Sequence, residues 1–329
     1  MEASVVPGIA GLLMLIGMGG GLGLPLGVPP EPEDPTLAQV APQECLFYCR
    51  WAGTAEPDPQ STNQVEQLLA EPEIEHLATE IERLVAKGLR RAVLEEEGPK
   101  AAAVVDDLLP LAKRGLTRPG AGFVSRLQIA PGGPDVQAGL LLNLGDAAAR
   151  LKAALEKHQQ RSIPDAVESV EIGGDTYYRI TPPNPDAPVF SWGVKEGYFG
   201  VGVGEGAIEG MLERAQTDPP EWLVTIGRQL PVPRRSTVTY VDVEALRKTI
   251  LPLADDPEAE RVVKALGLGR VKSLVSVRGL DETGFVAKAL VELDGDPEGL
   301  LRLAAGKPLD VEDLAPIPSD ATIALAARL

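Results

Sequence analysis

A chain of 329 residues has room for one large domain or two smaller ones with an ample core. Its 48 acidic residues against 31 basic ones leave a net charge of −17, which speaks against nucleic acid and anionic lipid surfaces as partners, since both are met by basic patches. Hydrophobic residues make up 44% of the chain but aromatics only 4%, and there are 35 glycines and 30 prolines. The core must therefore rest on Leu, Val, Ile and Ala, in short elements joined by many turns.

From Val5 to Val28 no residue is charged, and Ala10–Met18 is a compact apolar core. Residues 1–28 read as an export signal or a membrane anchor, although the charge preceding the apolar run is Glu2 where such segments carry Lys or Arg. Residues 29–35 (PPEPEDP) read as a stiff acidic linker. The folded region is expected over 36–308, with Cys45–Trp51 as its first strand. In a strand, Cys45 and Cys49 would have Cα atoms roughly 13 Å apart, far beyond disulfide reach. Both are read as small buried residues beside Phe47 and Trp51, with an intermolecular bridge the alternative in an oxidising compartment. Asn63–Ala70 predicts a short helix. Pro72 opens a longer one, in which Ile74, Leu77, Ala78, Ile81, Leu84 and Val85 form one apolar stripe and His76 falls on the opposite, solvated face. The run Glu95-Glu96-Glu97-Gly98-Pro99 ends it, and Lys100–Lys113 predicts a further helix kinked at Pro110.

A recurring plan of paired strands followed by a helix then begins. Phe123–Ile129 and Val136–Leu144 flank the turn APGGPD, and Asp146 heads a helix to about Gln160. Val167–Ile172 and Thr176–Ile180 meet at Gly173-Gly174-Asp175, a strong hairpin signal. A meander follows through VFSWGV and YFGVGV. In that last strand Phe199, Val201 and Val203 share one face while Gly200, Gly202 and Gly204 leave the other bare, so that a helix can approach closely. The next segment supplies one, with Ile208, Met211, Leu212 and Ala215 at helical spacing. Beyond it come a strand at Thr237–Val243, a helix at Glu244–Leu253, a helix opened by Pro257, a hairpin of Val271–Arg278 with Phe285–Leu293, and a helix from about Pro297 to Ala305. Strands joined mostly by hairpins define an α+β fold, a mainly antiparallel sheet packed by helices. Residues 309–329 are either its last strand or the start of a second, truncated copy, because LAPIPSDATIALAARL (Leu314–Leu329) resembles LAQVAPQECLFYCRW (Leu37–Trp51).

Four patterns invite a chemical reading. Gly202-x-Gly204-x-x-Ala207 fits a dinucleotide fingerprint between a strand and a helix, but its strand belongs to a meander and no acidic residue ends a second strand about twenty residues on, so packing is the expectation. Asp294-x-Asp296-x-Glu298-Gly299 imitates half a calcium loop, but position twelve is Ala305; Asp296 as helix cap with Pro297 behind it accounts for the same residues. His158, near the end of its helix, is read as a packing residue. Asp106, Asp107, Asp242, Asp255 and Asp256 could converge for hydrolysis, a weak signal in so acidic a chain. No catalytic, cofactor-binding or metal-ligating residues are assigned, and no cofactor.

The phrases LAQVAPQE and LAPIPSDA, each before an apolar strand, and the meander VFSWGVKEGYFGVGVGEGAIEGMLERA resemble those of bacterial exported or envelope proteins of unknown function, similar to the domain-of-unknown-function family numbered three-three-five-two. The resemblance covers about Thr36–Leu329. It implies an α+β unit, often in tandem, behind an export signal or anchor, in an extracytoplasmic setting: periplasm, envelope or secreted. The expected function is a non-enzymatic binding or structural module whose partner is an envelope protein or polymer, touching membrane only through the N-terminal segment. A carboxylate-dependent hydrolase of an envelope polymer and a small-molecule or lipid carrier are the alternatives.

Overall fold

The computed structural model describes residues 27–96, 98, 117–130, 133–162, 166–182, 184, 187–254, 257–304, 310, 312, 315 and 316. The apolar run before residue 27, the expected helix at Lys100–Lys113 and the repeat-like C-terminal stretch fall outside them, apart from two residues of the latter.

Helices α1 (Pro35–Gln39), α2 (Gln64–Leu69) and α3 (Pro72–Glu96) accompany strand β1 (Phe47–Trp51) in the first part of the chain. Next come β2 (Gly120–Ala130), β3 (Gly133–Asn143), α4 (Ala147–Ser162), β4 (Val167–Ile172), β5 (Asp175–Ile180), β6 (Phe190–Lys195) and β7 (Tyr198–Val203). The chain continues through α5 (Ala207–Arg214), α6 (Glu221–Gln229), β8 (Arg234–Asp242), α7 (Val243–Ala254), α8 (Pro257–Leu266), β9 (Val271–Leu280), β10 (Phe285–Leu293) and α9 (Leu301–Ala304). The ten strands form one sheet in the order β10-β9-β8-β1-β2-β3-β7-β6-β5-β4. From β4 to β7 and from β1 to β3 every pairing is antiparallel, so the fold is α+β with a mainly antiparallel sheet. The meander sits where the glycine and hairpin signals place it.

The chain divides into two compact units, residues 1–241 with 275–290, and residues 242–274 with 291–329. In the first, the middle of the sheet is buried on both faces. Alternation makes this visible on β3: Leu140 and Leu142 join Trp51, Trp192, Phe199 and Val201 under Ala148 and Leu151 of α4. Leu141 points the other way, with Tyr48 and Phe123, to meet Leu37 of α1, Ile208 and Met211 of α5, and Leu223 and Ile226 of α6. Tyr178 stacks on Trp192 at 4.6 Å, and Trp222 lies 4.7 Å from Tyr240, so the few aromatics concentrate in the two layers. Helix α6 was not anticipated from the proline-rich surroundings of Asp218. Pro220 stands at its N-cap, where a missing N–H costs nothing.

On β7 the bare face is filled by α5. A Cβ on Gly202 would meet the Ile208 backbone nitrogen at 2.8 Å and the Ala207 Cβ at 3.2 Å, and one on Gly200 would meet the Met211 Cε at 3.1 Å. Gly204 turns the chain out of the strand at φ +100°, with the Val136 carbonyl oxygen 2.0 Å from where a Cβ would stand.

The second unit holds α7, α8, the one-turn helix Leu268–Arg270 and α9. Asp242 caps α7 by accepting the Ala245 N–H at 2.8 Å. The sequence reading of its last helix needs correction. The helix starts at Leu301, not Pro297, and Asp296 is not its cap. The reason is tertiary. Gly299 is left-handed (φ +56°) with its α-carbon against the backbone of Lys264 and Ala265, and the Leu300 N–H is given to the Ala265 carbonyl at 3.0 Å. Backbone committed to these contacts cannot wind into the first turn of a helix.

Replacing Gly202 by Ala is expected to lower the unfolding free energy by about 1–3 kcal/mol, since the added methyl presses on helix backbone that cannot yield freely. Gly269→Ala, at a position open to solvent, should be close to neutral. Urea midpoints for the two variants check this, with the slope of the transition unchanged.

Candidate functional site

Polar side chains gather most densely where the stretch from Gly27 to Pro42 crosses the sheet. Read in sequence as a linker, its acidic part is strapped down. Pro30 bridges to Thr54, the Glu31 N–H is given to the Gly53 carbonyl at 2.8 Å, and the Ala55 N–H to the Pro29 carbonyl at 2.8 Å. Pro29 is fully buried.

Each carboxylate of this strap has its own partners. Glu31 meets Arg118 at 3.3 Å. Glu33 is shared by Arg50 of β1, at 3.3 Å, and Arg235 of β8, which donates from Nε and from Nη2 at 3.1 Å. Asp34 accepts three hydrogen bonds: the Thr36 N–H at 3.0 Å, which caps α1, the Asn143 amide at 2.8 Å and the Tyr198 hydroxyl at 2.8 Å. Burial, reinforced by that bond to Asp34, raises the Tyr198 pKa. The strap's backbone is satisfied in the same way. Tyr48 donates to the Leu37 carbonyl at 2.7 Å, Arg214 to that of Val40 at 2.9 Å and Trp222 to that of Pro42 at 3.0 Å. The Arg214 guanidinium also lies 4.8 Å from the centre of the Phe123 ring.

Glu33, Asp34, Arg50, Trp51 and Arg235 line a narrow cleft with the room of a single water. With donors already on all three carboxylates, the arrangement fixes a backbone in place. It is no receptacle for a ligand of the size a carrier would hold.

A second polar cluster ties α2 down. The buried Asn63 accepts the Val65 and Glu66 N–H groups and donates to the carbonyls of Asp281 and Gly284 at 2.9 and 3.0 Å. Glu66, its side chain only 5% exposed, is gripped by Arg234 through two bonds of 2.6 and 3.0 Å and by Ser61 at 2.9 Å. The bond to Arg234 comes first among the causes that hold its carboxyl below the usual range.

The residues singled out in sequence are dispersed. Cys45 and Cys49 are buried and not bridged to each other, and they lie on opposite faces of the sheet. Strand β1 begins only at Phe47, and Cys45, before it, turns into the layer of Tyr48 and gives its thiol to the Phe47 carbonyl at 2.9 Å. Cys49 lies among the residues packed against α4, its pKa pushed up to about 11 mainly by burial. Such a thiol is inert at neutral pH. Of the fingerprint glycines, Gly202 is covered by α5 and Gly204 by the Val136 carbonyl, which is the packing role expected of them. Glu298 pairs with Arg270 at 3.0 Å and Asp294 approaches Lys272 at 4.0 Å. No cluster of His, Cys, Asp or Glu with metal-holding geometry occurs among the described residues. His76 is exposed; the side chain of His158 and residues Asp106, Asp107, Asp255 and Asp256 lie outside the described residues. Sequence reasoning missed the strap because Arg50, Arg118, Asn143, Tyr198 and Arg235 approach it from positions far along the chain.

Fold and strap together define an α+β protein, the middle of its sheet buried on both faces and the stretch from Gly27 to Pro42 locked across one of them. No family model matches the chain, and no curated protein matches it. Among solved structures it is similar to TP0453 in crystal form I, at 12% identity, with 83% of each chain covered and a TM-score of 0.37. Among the described residues no helix is long and apolar enough to cross a membrane.

Asp34→Ala removes three acceptor contacts, including a helix cap, and should cost about 2 kcal/mol, whereas Tyr198→Phe removes one and should cost about 1 kcal/mol. Limited proteolysis should cut the Asp34→Ala strap sooner than the rest of the domain. Arg234→Ala leaves the Glu66 carboxylate buried without its main partner and is expected to cost about 2 kcal/mol near neutral pH. Because the folded protein holds Glu66 below its unfolded pKa, the contribution is complete above the unfolded value and fades as pH falls through the folded one. Urea midpoints of the variant and the parent should therefore converge with acidification through that window. A gap independent of pH would refute the assignment.

Proposed function

We propose that this chain is a non-enzymatic extracytoplasmic module, binding or structural, that holds its first α+β unit close to the segment preceding it. The observation that carries this reading is the strap. Residues 27–42 follow directly on the uncharged apolar run and are fixed to the sheet by Glu31, Glu33 and Asp34. A body attached in this way has little freedom relative to a leader or anchor at its N-terminal side.

The likeness of its strand-opening phrases and meander to the domain-of-unknown-function family named above supports the same setting. So does the acidic surface, which is repelled by anionic headgroups and leaves membrane contact to the apolar segment. The partner proposed is an envelope protein or an envelope polymer.

Fractionation of cells expressing the full-length chain, with the mature N-terminus read by mass spectrometry, tests this. Recovery in the envelope or outside the cell, with the apolar run cleaved or membrane-held, is the expected result. Recovery in the cytosol with Met1 or Glu2 intact would overturn the reading.

A further inference from the structure

The two ends of the sheet are built differently. At one end β4 is six residues long and turns Glu168, Ser169 and Glu171 to solvent, the short and charged make-up that keeps an edge strand from pairing further. At the other end β10 runs for nine residues without a proline or a glycine. Val286 packs on the core layer of Val275 and Val277. Lys288, on the same side of the strand, gives its ammonium to the Pro231 carbonyl at 2.6 Å. Alternation turns Phe285, Ala287 and Ala289 to the other face, and all three are exposed.

Among the described residues β10 has a neighbouring strand on one side only. The Asp281 N–H, given to the Gly284 carbonyl at 3.1 Å, opens the ladder between β9 and β10. From there even-numbered residues turn their main-chain groups to β9, while Phe285, Ala287 and Ala289 turn theirs outward. Such outward groups are a template for one more strand.

Arg278 identifies the strand that fits. Counting along the ladder from Asp281 and Gly284 places it on β9 beside Ala287. Its charge acts on the Cys49 thiol, which puts it on the face of Phe285, Ala287 and Ala289. Half-buried, it has neither a hydrogen bond nor an ion pair among the described residues, so it lacks the carboxylate that a guanidinium takes in a bidentate pair. A strand laid along β10 would run about 10 Å from β9, two strand spacings. The small Ala287 side chain leaves an arginine and a glutamate free to meet across that gap. A second copy of β10 brings no carboxylate to this face, because Glu292 lies on the side of Val286 and Lys288.

We propose that β10 is a strand-addition site for an extended acidic segment of a partner protein. The segment's main chain pairs with the outer groups of Phe285, Ala287 and Ala289, and a carboxylate on the face of Ala287 meets Arg278. The proposal rests on reading the chain as a binding module but not on its compartment, so the two fail separately: fractionation decides the compartment, and purified protein decides the edge.

Fluorescence anisotropy with the purified full chain and a labelled octapeptide of alternating Thr and Glu tests this. The peptide should bind saturably, and more weakly as salt is raised. A peptide with Lys in place of Glu should bind at least about tenfold more weakly. Hydrogen exchange of the complex should show slowed amides in β10 and not in β4. Arg278→Gln should weaken binding at least about tenfold with an unchanged circular dichroism spectrum. Ala287→Pro, which removes an outward N–H and leaves the bonds to β9 in place, should do the same. Absence of saturable binding, equal binding of the Lys peptide, indifference to Arg278→Gln, or protection outside β10 would each overturn the proposal. Self-association that excludes the peptide would overturn it too, by putting a second copy on the edge. Should Ala287→Pro fail to fold, Arg278→Gln and the exchange pattern decide.

Discussion

The structure depends on how closely a helix can lie against β7. That strand carries Phe199, Val201 and Val203 on one face and, beyond Tyr198, only glycine hydrogens on the other. The apolar face takes the thick layer completed by Trp192, Leu140, Leu142 and α4. The glycine face takes α5 at a distance where the Ile208 backbone nitrogen would be 2.8 Å from a Gly202 Cβ. Ile208 and Met211 thereby reach the layer of Leu141 and Phe123 and are buried almost completely. Each such side chain contributes about 1.5–3 kcal/mol on leaving water. A side chain at Gly202 would lift the helix and loosen the contacts of α1 and α6 beside it.

Once both faces of the sheet are covered, the chain entering the domain has to pass over polar ground. It does so as the strap, whose prolines remove backbone donors and whose carboxylates meet guanidiniums and a tyrosine from β1, β7, β8 and the segment before β2. Half-exposed ion pairs of this kind are individually weak. Their effect is positional, since several tie one short stretch to several elements. Glu66 and Asn63 do the same for α2, with the difference that Glu66 is buried and its pairing therefore matters more to stability.

The long helix α3 departs from this economy. Its apolar stripe is as regular as that of α5, yet Leu77 and Leu84 stand in solvent. Amphipathic periodicity determines that a helix has a face to hide. It does not specify whether the cover comes from the same fold or from another molecule.

Much of the architecture was legible in the sequence because its causes are local. Alternation gave β4 and β10 their bounds, Gly173-Gly174-Asp175 gave the hairpin, and Pro72 and Pro257 opened helices as expected. The glycine face of β7 declared both a close approach and the helix that makes it. The burial of Cys45 and Cys49 was readable too, though not their placement on opposite faces, which follows from where β1 begins. Only the tertiary structure turned the acidic linker into a strap, moved the last helix from Pro297 to Leu301, and left Leu77 and Leu84 of α3 exposed. Hairpins and amphipathic faces arise from residues a few positions apart, whose geometry the backbone dictates. A partnership such as Asp34 with Tyr198, or Glu66 with Arg234, joins positions more than 160 residues apart and exists only once the sheet has been assembled between them.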